Sequence, residues 1–250
     1  MVFKKKMINI RDKYIFTHIE KTAGTSMASD LQKNHLGYIY YIATNFSEQK
    51  KEGLLKELQL APLEKIRDDY PNKHIMLEVF KKLMLESEWD QFFKFAFVRH
   101  PLDRLASLYI HTVRANFKTE ERITAQYILT HKPKIILEMS NLDGSGNLTH
   151  YDVTFDFFVR HFSDRGFHSQ VKQISDTKGN IITNFTGKFE NLEADWKKVC
   201  EKIKIAQNLP KKNMSEGTEG LYKQFYTEDL KEFIYDRDNE DFERLGYEKI

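Results

Sequence analysis

Two short apolar runs stand out along the chain. They are Tyr14 to His18, and Phe92 to Val98 with Lys94 as its only charge. Runs of this length are typical of strands buried on both faces of a sheet. Each run is followed by apolar residues at helical spacing, from about Thr25 and from Pro101. Because the order strand, loop, helix occurs twice, the pattern predicts an α/β fold with a central, mainly parallel sheet flanked by helices.

Elsewhere the patterning predicts further helices and one tight turn. Helical spacing occurs in Ser47–Tyr70, His74–Leu85, Thr154–Phe162, from Leu192 to about Ile205, and from Thr227 to Leu245. A hairpin or tight turn is predicted around Lys178-Gly179-Asn180. The turn-rich segment 141–147 is expected to be an exposed loop.

Composition limits the class of protein. With 250 residues, 40% of them apolar, the chain can form one enzyme-sized domain over 1–250, with 1–12 as a flexible start. The charges nearly balance, 39 Lys and Arg against 37 Asp and Glu, which excludes a chain-wide basic surface for nucleic acid. Any anion site must therefore be local.

Targeting and cysteine signals are sparse. No apolar stretch approaches the roughly 20 residues of a membrane span, and the Lys-rich start lacks the apolar part of a signal peptide. We therefore expect a soluble, cytoplasmic protein. The single cysteine, Cys200, excludes an intramolecular disulfide and lies at a helical core position, where a small buried hydrophobe is expected.

The segment IEKTAGTSM, Ile19 to Met27, joins the first predicted strand to its helix. At such a junction the first helical N–H groups have no intrahelical partner and the helix dipole is positive, so the position suits an anion. Gly24 lets the backbone approach a ligand, and Lys21 supplies a positive charge. Hydroxyl groups are offered by Thr22, Thr25 and Ser26.

A nucleoside-triphosphate P-loop is excluded by the same segment. That motif needs two glycines with four residues between them, the second directly before Lys-Ser/Thr, and Ile15 and Glu20 stand in these glycine positions before Lys21-Thr22. A kinase would also need an acidic magnesium ligand at the end of a neighbouring strand, whereas FFKFAFV ends in Arg99. The sequence favours a nucleotide bound without metal.

Two motifs carry a resemblance to a known family. HIEKTAGTS resembles the 5′-phosphosulfate loop, and FKFAFVRHPLDRLASLY resembles the 3′-phosphate motif, of sulfotransferases that use 3′-phosphoadenosine 5′-phosphosulfate (PAPS). Within these, the chain is most similar to carbohydrate-type sulfotransferase family 2. Supporting similarity continues through Gln170, GKFENL at 187–192 and FERLGY at 242–247. The resemblance implies a single P-loop-NTPase-like domain.

The resemblance also implies the roles of individual residues. The 5′-phosphosulfate would be held by Lys21, Thr22, Ala23, Gly24, Thr25 and Ser26, and the 3′-phosphate by Arg99 and Ser107. Lys21 is the candidate that stabilises charge on the leaving phosphate. The sequence departs from the family where Glu20 replaces a usual proline and His100 a common asparagine.

The acceptor hydroxyl needs a base, and the resemblance points to His74. His111, His168 and Glu78 are the other candidates. The expected function is transfer of a sulfuryl group from PAPS to an acceptor hydroxyl, most simply of a carbohydrate, without metal. The alternative is a non-catalytic nucleotide-binding or interaction protein on the same fold. Glu20 favours that alternative, while the retained Lys21, Arg99, Ser107 and His74 favour the enzyme.

Overall fold

The computed structural model describes residues 8–9, 12–34, 77–84, 86–116, 127–128, 130, 136–140, 148–162, 169–209 and 221–250. Predictions for Ser47–Tyr70, for 141–147 and for most of 1–12 lie outside the described residues. The strands are β1 (Ile8–Asn9), β2 (Tyr14–Thr17), β3 (Phe93–Val98), β4 (Ile136–Ser140), β5 (Leu148–Asp152) and β6 (Phe185–Lys188). The helices are α1 (Gly24–Asn34), α2 (Leu77–Leu83), α3 (Glu86–Trp89), α4 (Pro101–Asn116), α5 (Phe155–Phe157), α6 (Gln170–Ile174), α7 (Leu192–Ile203), α8 (Glu228–Arg237) and α9 (Asn239–Leu245).

The chain divides into two compact units. The first comprises Met1–Arg99 and Gln170–Asn213, and the second comprises His100–Ser169 and Met214–Ile250. The chain therefore leaves the first unit after Arg99 and re-enters it at Gln170. A single domain over 1–250 stays a prediction.

The first unit is built on a sheet with the strand order β1-β2-β3-β6. β2, β3 and β6 are parallel, and β1 is antiparallel to β2. The register sets Thr17 opposite Ala96 and Val98 opposite Lys188. Because the parallel strands end at one edge of the sheet, the segments that follow β2 and β3 start from the same edge. The predicted α/β fold is confirmed.

Alternate residues of β2 face opposite sides of this sheet, and helices cover both. Phe16 packs with Trp196 in a core that includes residues of α1 and α7. Ile15 packs on the other side with Phe80 of α2 and Trp89 of α3. Burial on both sides explains why β2 reads as a continuous apolar run instead of an alternating one.

The second unit combines a hairpin with helices. β4 and β5 are antiparallel, with Ile136 opposite Asp152. The core of the unit includes Leu105, Tyr109, Phe158, Ile234 and Phe242. Two of its helices begin at threonine caps: the hydroxyl of Thr154 accepts from Phe157 N at 3.2 Å, and that of Thr227 accepts from Leu230 N at 3.3 Å.

Two predicted helices differ from those observed. The helix predicted from Thr227 to Leu245 is broken at Asp238, which has φ −104° and ψ 22° and separates α8 from α9. The Asp238 carboxylate accepts from the Arg237 side chain at 2.7 and 2.9 Å, and Asp is a residue type that favours caps over helix interiors. The segment predicted as one helix to Phe162 is α-helical only to Phe157 and continues as a π-helical turn, Phe158–Phe162.

The predicted turn and the predicted cysteine environment are both confirmed. Gly179 has φ 81°, and a bridge joins Ser175 to Ile181. Cys200 on α7 is buried, and desolvation by burial raises the pKa of its thiol to about 12. Among the helices that the structure describes, none is long and apolar enough to cross a membrane.

Candidate functional site

The loop between β2 and α1 has an unusual backbone. Lys21 and Ala23 have φ of 66° and 62°, in the left-handed region that side chains disfavour by roughly 1–2 kcal/mol each. Thr22 stands between them. Alternation of this kind turns successive N–H groups to one side and makes an anion-binding concavity. Residues in such disfavoured backbone conformations cluster at functional sites, so Lys21 and Ala23 mark this loop as a candidate site.

The side chains of the loop divide between structure and surface. The hydroxyl of Thr22, which is fully buried, donates to the Ile19 carbonyl oxygen at 2.8 Å. This bond closes the loop and engages the Thr22 hydroxyl. Ser26 N donates to the Ala23 carbonyl oxygen at 2.9 Å, which starts the helix. Lys21, Ala23 and Thr25 are half-buried, and Ser26 is buried.

Gly24 is required by its contact with His18. A Cβ at Gly24 would lie 1.8 Å from His18 Cδ2 and 2.0 Å from Nε2. The His18 ring is buried and stacks on Phe16 at 5.8 Å between centroids. The missing side chain therefore makes room for the imidazole beneath the loop. His18 shapes the loop, as its position before the motif suggests.

Arg99 follows β3 and reaches this loop. Its Nη1 donates to the Lys21 carbonyl oxygen at 3.2 Å, and its guanidinium lies 4.1 Å from the centre of the Phe189 ring. Its backbone N–H donates to Gln170 Oε1 at 2.9 Å, and Gln170 Nε2 donates to its carbonyl oxygen at 2.8 Å. The two sequence motifs therefore meet at one edge of the sheet through Lys21 and Arg99.

This arrangement suits an anion. A helix N-terminus, a loop with left-handed residues, a lysine and an arginine are brought to one edge of the first unit. In the part of the chain that the structure describes, no three His, Cys, Asp or Glu side chains cluster to hold a metal ion. Metal-free chemistry stays a prediction.

His100 has a structural environment within the second unit. Its ring packs edge-on against Phe242 and Tyr247, at 5.6 and 5.3 Å between centroids. Its Nε2 lies 3.0 Å from the Glu248 carbonyl oxygen. Because a carbonyl oxygen only accepts, Nε2 carries a proton. These contacts explain why a ring stands here where asparagine is common.

The remaining predicted residues are placed separately. Ser107 is half-buried on α4, in the second unit. His74 and His168 lie outside the described residues, and His111 is exposed on α4. Glu78 Oε1 accepts from Thr177 N at 2.8 Å and lies 3.8 Å from Lys82 Nζ. Glu78 therefore braces the predicted turn in this structure.

Arg99 is held by two residues that the sequence analysis did not identify on chemical grounds. They are Gln170, through its amide, and Phe189, through its ring. In the sequence, Gln170 is distinguished only by its place in the family resemblance. A usable signal does exist, because a glutamine next to the apolar Val171 and Ile174 must find hydrogen-bond partners if it is buried.

Comparison with known proteins now identifies the family. The model of the sulfotransferase family, family 2, matches residues 5–248. This chain belongs to the sulfotransferase family. No curated protein and no solved structure gives a match to it.

Family membership fixes the class of chemistry. The sulfotransferase transfers a sulfuryl group, and its α/β sheet is the P-loop-like sheet of that family. The predicted similarity to sulfotransferase family 2 is confirmed. Of the two motifs that carry the resemblance, HIEKTAGTS covers the loop after β2 and the start of α1, and FKFAFVRHPLDRLASLY covers β3 and the start of α4.

Proposed function

We propose that this sulfotransferase transfers a sulfuryl group from PAPS to a hydroxyl of a carbohydrate acceptor without a metal ion. The observation that carries the proposal is the hydrogen bond from Arg99 Nη1 to the Lys21 carbonyl oxygen, which joins the two nucleotide motifs. PAPS supplies the sulfuryl group. The bond from acceptor oxygen to sulfur forms as the bond from sulfur to the 5′-phosphate oxygen breaks, leaving 3′-phosphoadenosine 5′-phosphate (PAP).

The loop after β2 is the proposed site of the 5′-phosphosulfate. Its residues are Lys21, Thr22, Ala23, Gly24, Thr25 and Ser26. The left-handed backbone at Lys21 and Ala23 and the start of α1 at Gly24 support binding through N–H groups. Thr22 would contribute its backbone, because its hydroxyl is bonded to Ile19.

Arg99 and Ser107 are the proposed ligands of the 3′-phosphate. For Arg99 the support is geometric, since its guanidinium lies beside the loop. A planar guanidinium matches the paired oxygens of a phosphate. For Ser107 the support is the family motif, in which it follows Arg99 on the next helix.

Lys21 and His74 are the proposed catalytic residues. Lys21 would stabilise negative charge on the leaving 5′-phosphate oxygen, and His74 would take the proton of the acceptor hydroxyl. The support for His74 is the family resemblance alone. A sulfuryl group carries less negative charge than a terminal phosphoryl group, so lysine and backbone N–H groups can replace a metal ion.

The test is transfer of labelled sulfate from PAPS, in EDTA, to a panel of polysaccharides, glycans and small alcohols. We expect metal-independent labelling of a carbohydrate. Lys21→Ala should lower kcat by about 10²–10³-fold, the usual loss for a preorganised donor at a developing oxyanion. Lys197→Ala, which removes an exposed lysine on α7, is the control.

Three results would contradict parts of the proposal. Labelling of small alcohols alone would replace the carbohydrate acceptor. PAP binding without transfer to any acceptor would favour the non-catalytic nucleotide-binding protein. A pH–rate profile that is the same for His74→Ala and wild type would remove His74 as the base.

A further inference from the structure

Gln170 makes an uncommon pair of contacts with Arg99. The carbonyl oxygen of its side-chain amide accepts from Arg99 N at 2.9 Å, and its Nε2 donates to the Arg99 carbonyl oxygen at 2.8 Å. One side chain thus serves both backbone polar groups of one residue. An amide side chain can do this because it carries a donor and an acceptor, as a peptide group does.

These contacts lie where the sheet stops. The pairing of β3 with β6 ends at Val98 opposite Lys188, so the next peptide groups have no strand beside them. Gln170 extends the pairing of β3 by one residue in place of a strand. Its side chain is fully buried at the start of α6, next to the buried Val171. A buried amide in this setting has few alternative partners, which fixes its geometry.

These two hydrogen bonds hold the backbone of Arg99 in place and so fix the position from which its side chain extends. Holding an arginine side chain in one conformation costs entropy, so an arginine that is already ordered binds its ligand more tightly. In this structure the backbone is held by Gln170, and the guanidinium is held by Phe189 and by the Lys21 carbonyl oxygen. All four residues belong to the first unit.

We propose that Gln170 is a positioning residue that orients Arg99 toward the 3′-phosphate and thereby strengthens the preference for 3′-phosphorylated nucleotides. This inference rests on the proposed function. A purely structural role is the competing explanation, because Arg99 and Gln170 are also the residues at which the chain leaves and re-enters the first unit. A structural role would weaken all nucleotides alike, whereas a positioning role acts on the 3′-phosphate.

The test is calorimetric titration of the full chain, in EDTA, with PAP and with AMP, which lacks the 3′-phosphate. The variants are Gln170→Met, Arg99→Ala and the double variant, and Gln173→Met on the same helix is the matched control for loss of a buried amide. Gln170→Met should lower the ratio of PAP affinity to AMP affinity by about tenfold. Losses of this order occur at metal sites when a residue that orients a ligating side chain is removed. In the Arg99→Ala background, Gln170→Met should leave the ratio unchanged.

The outcomes separate this inference from the proposed function. If wild type does not prefer PAP over AMP, the proposed nucleotide site is wrong and this inference falls with it. If wild type prefers PAP and Gln170→Met keeps that preference, or if Gln173→Met lowers it equally, the positioning role alone is overturned. Gln170→Leu removes both amide contacts without adding a charge and should lower the ratio to the same extent. It also serves as the test variant if Gln170→Met does not fold.

Discussion

One contact, with the ring of His18, determines that residue 24 is a glycine. Gly24 opens α1, where helix propensity alone would favour alanine by up to about 1 kcal/mol. Its φ is not positive, so the backbone itself does not demand glycine. The demand comes from the His18 ring, which occupies the space of the missing Cβ.

We expect Gly24→Ala to destabilise the protein. Because the new Cβ would overlap His18, the free energy of unfolding should fall by about 1–3 kcal/mol, as for other overpacked sites. The measurement is urea unfolding followed by circular dichroism. In a His18→Ala background the same substitution should cost much less. An equal loss in both backgrounds, or a gain in wild type, would contradict this account of Gly24.

Residues at the site were predictable where a short motif contains them. Lys21 and Arg99 were predicted from motifs and lie together. The contacts of Gln170 and Phe189 with Arg99 could not be predicted, because both residues lie far from Arg99 in the sequence. Contacts of that kind depend on the completed fold, which no local pattern encodes.

Among the elements, α1 is held by one buried carboxylate. Asp30 is fully buried on α1 and accepts from Trp196 Nε1 of α7 at 3.0 Å. It also accepts from Asn208 N, in the segment after α7, at 3.1 Å. A single side chain therefore ties together three segments on one face of the sheet. Because α1 begins where the loop after β2 ends, Asp30 also stabilises the helix to which this loop is joined.

We expect Asp30→Ala to lower the free energy of unfolding by about 2–4 kcal/mol. The substitution leaves the buried Trp196 Nε1–H without an acceptor, at about 1–3 kcal/mol, and also removes the bond to the backbone N of the exposed Asn208. Urea unfolding monitored by circular dichroism gives the value. Trp196→Phe removes one of the donors, so it should cost less in the Asp30→Ala background than in wild type. Additive losses would show that the Asp30–Trp196 bond contributes nothing.

Elements were predictable where burial gives a continuous apolar run or a clear helix start. β2 and β3 are buried runs, and α4 starts at its predicted proline. The break at Asp238 was missed because apolar spacing continues through it from α8 into α9. The run Asp236-Arg237-Asp238-Asn239 held the signal, since Asp and Asn favour caps over helix interiors. The β4–β5 hairpin was missed because its strands follow no clear alternation.

Across the whole molecule, the family match over residues 5–248 includes parts of both units. The order of elements accounts for the edge of the sheet at which Lys21 and Arg99 meet, because parallel strands end together. The acceptor is different. We propose that its pocket is formed by residues of Leu36–Tyr70 and Ala115–Asp152, whose His, Tyr, Lys and Arg have no diagnostic spacing, so the sequence does not predict the acceptor.

The measurement that tests the central claim most directly is titration with PAP in EDTA, on wild type and Arg99→Ala, with ATP plus magnesium as the control. The loop and Arg99 predict tight PAP binding without metal and about tenfold or greater weakening in Arg99→Ala, the loss expected for a charge-assisted phosphate contact. Binding of ATP only with magnesium, or no PAP binding by wild type, would contradict the sulfonucleotide site.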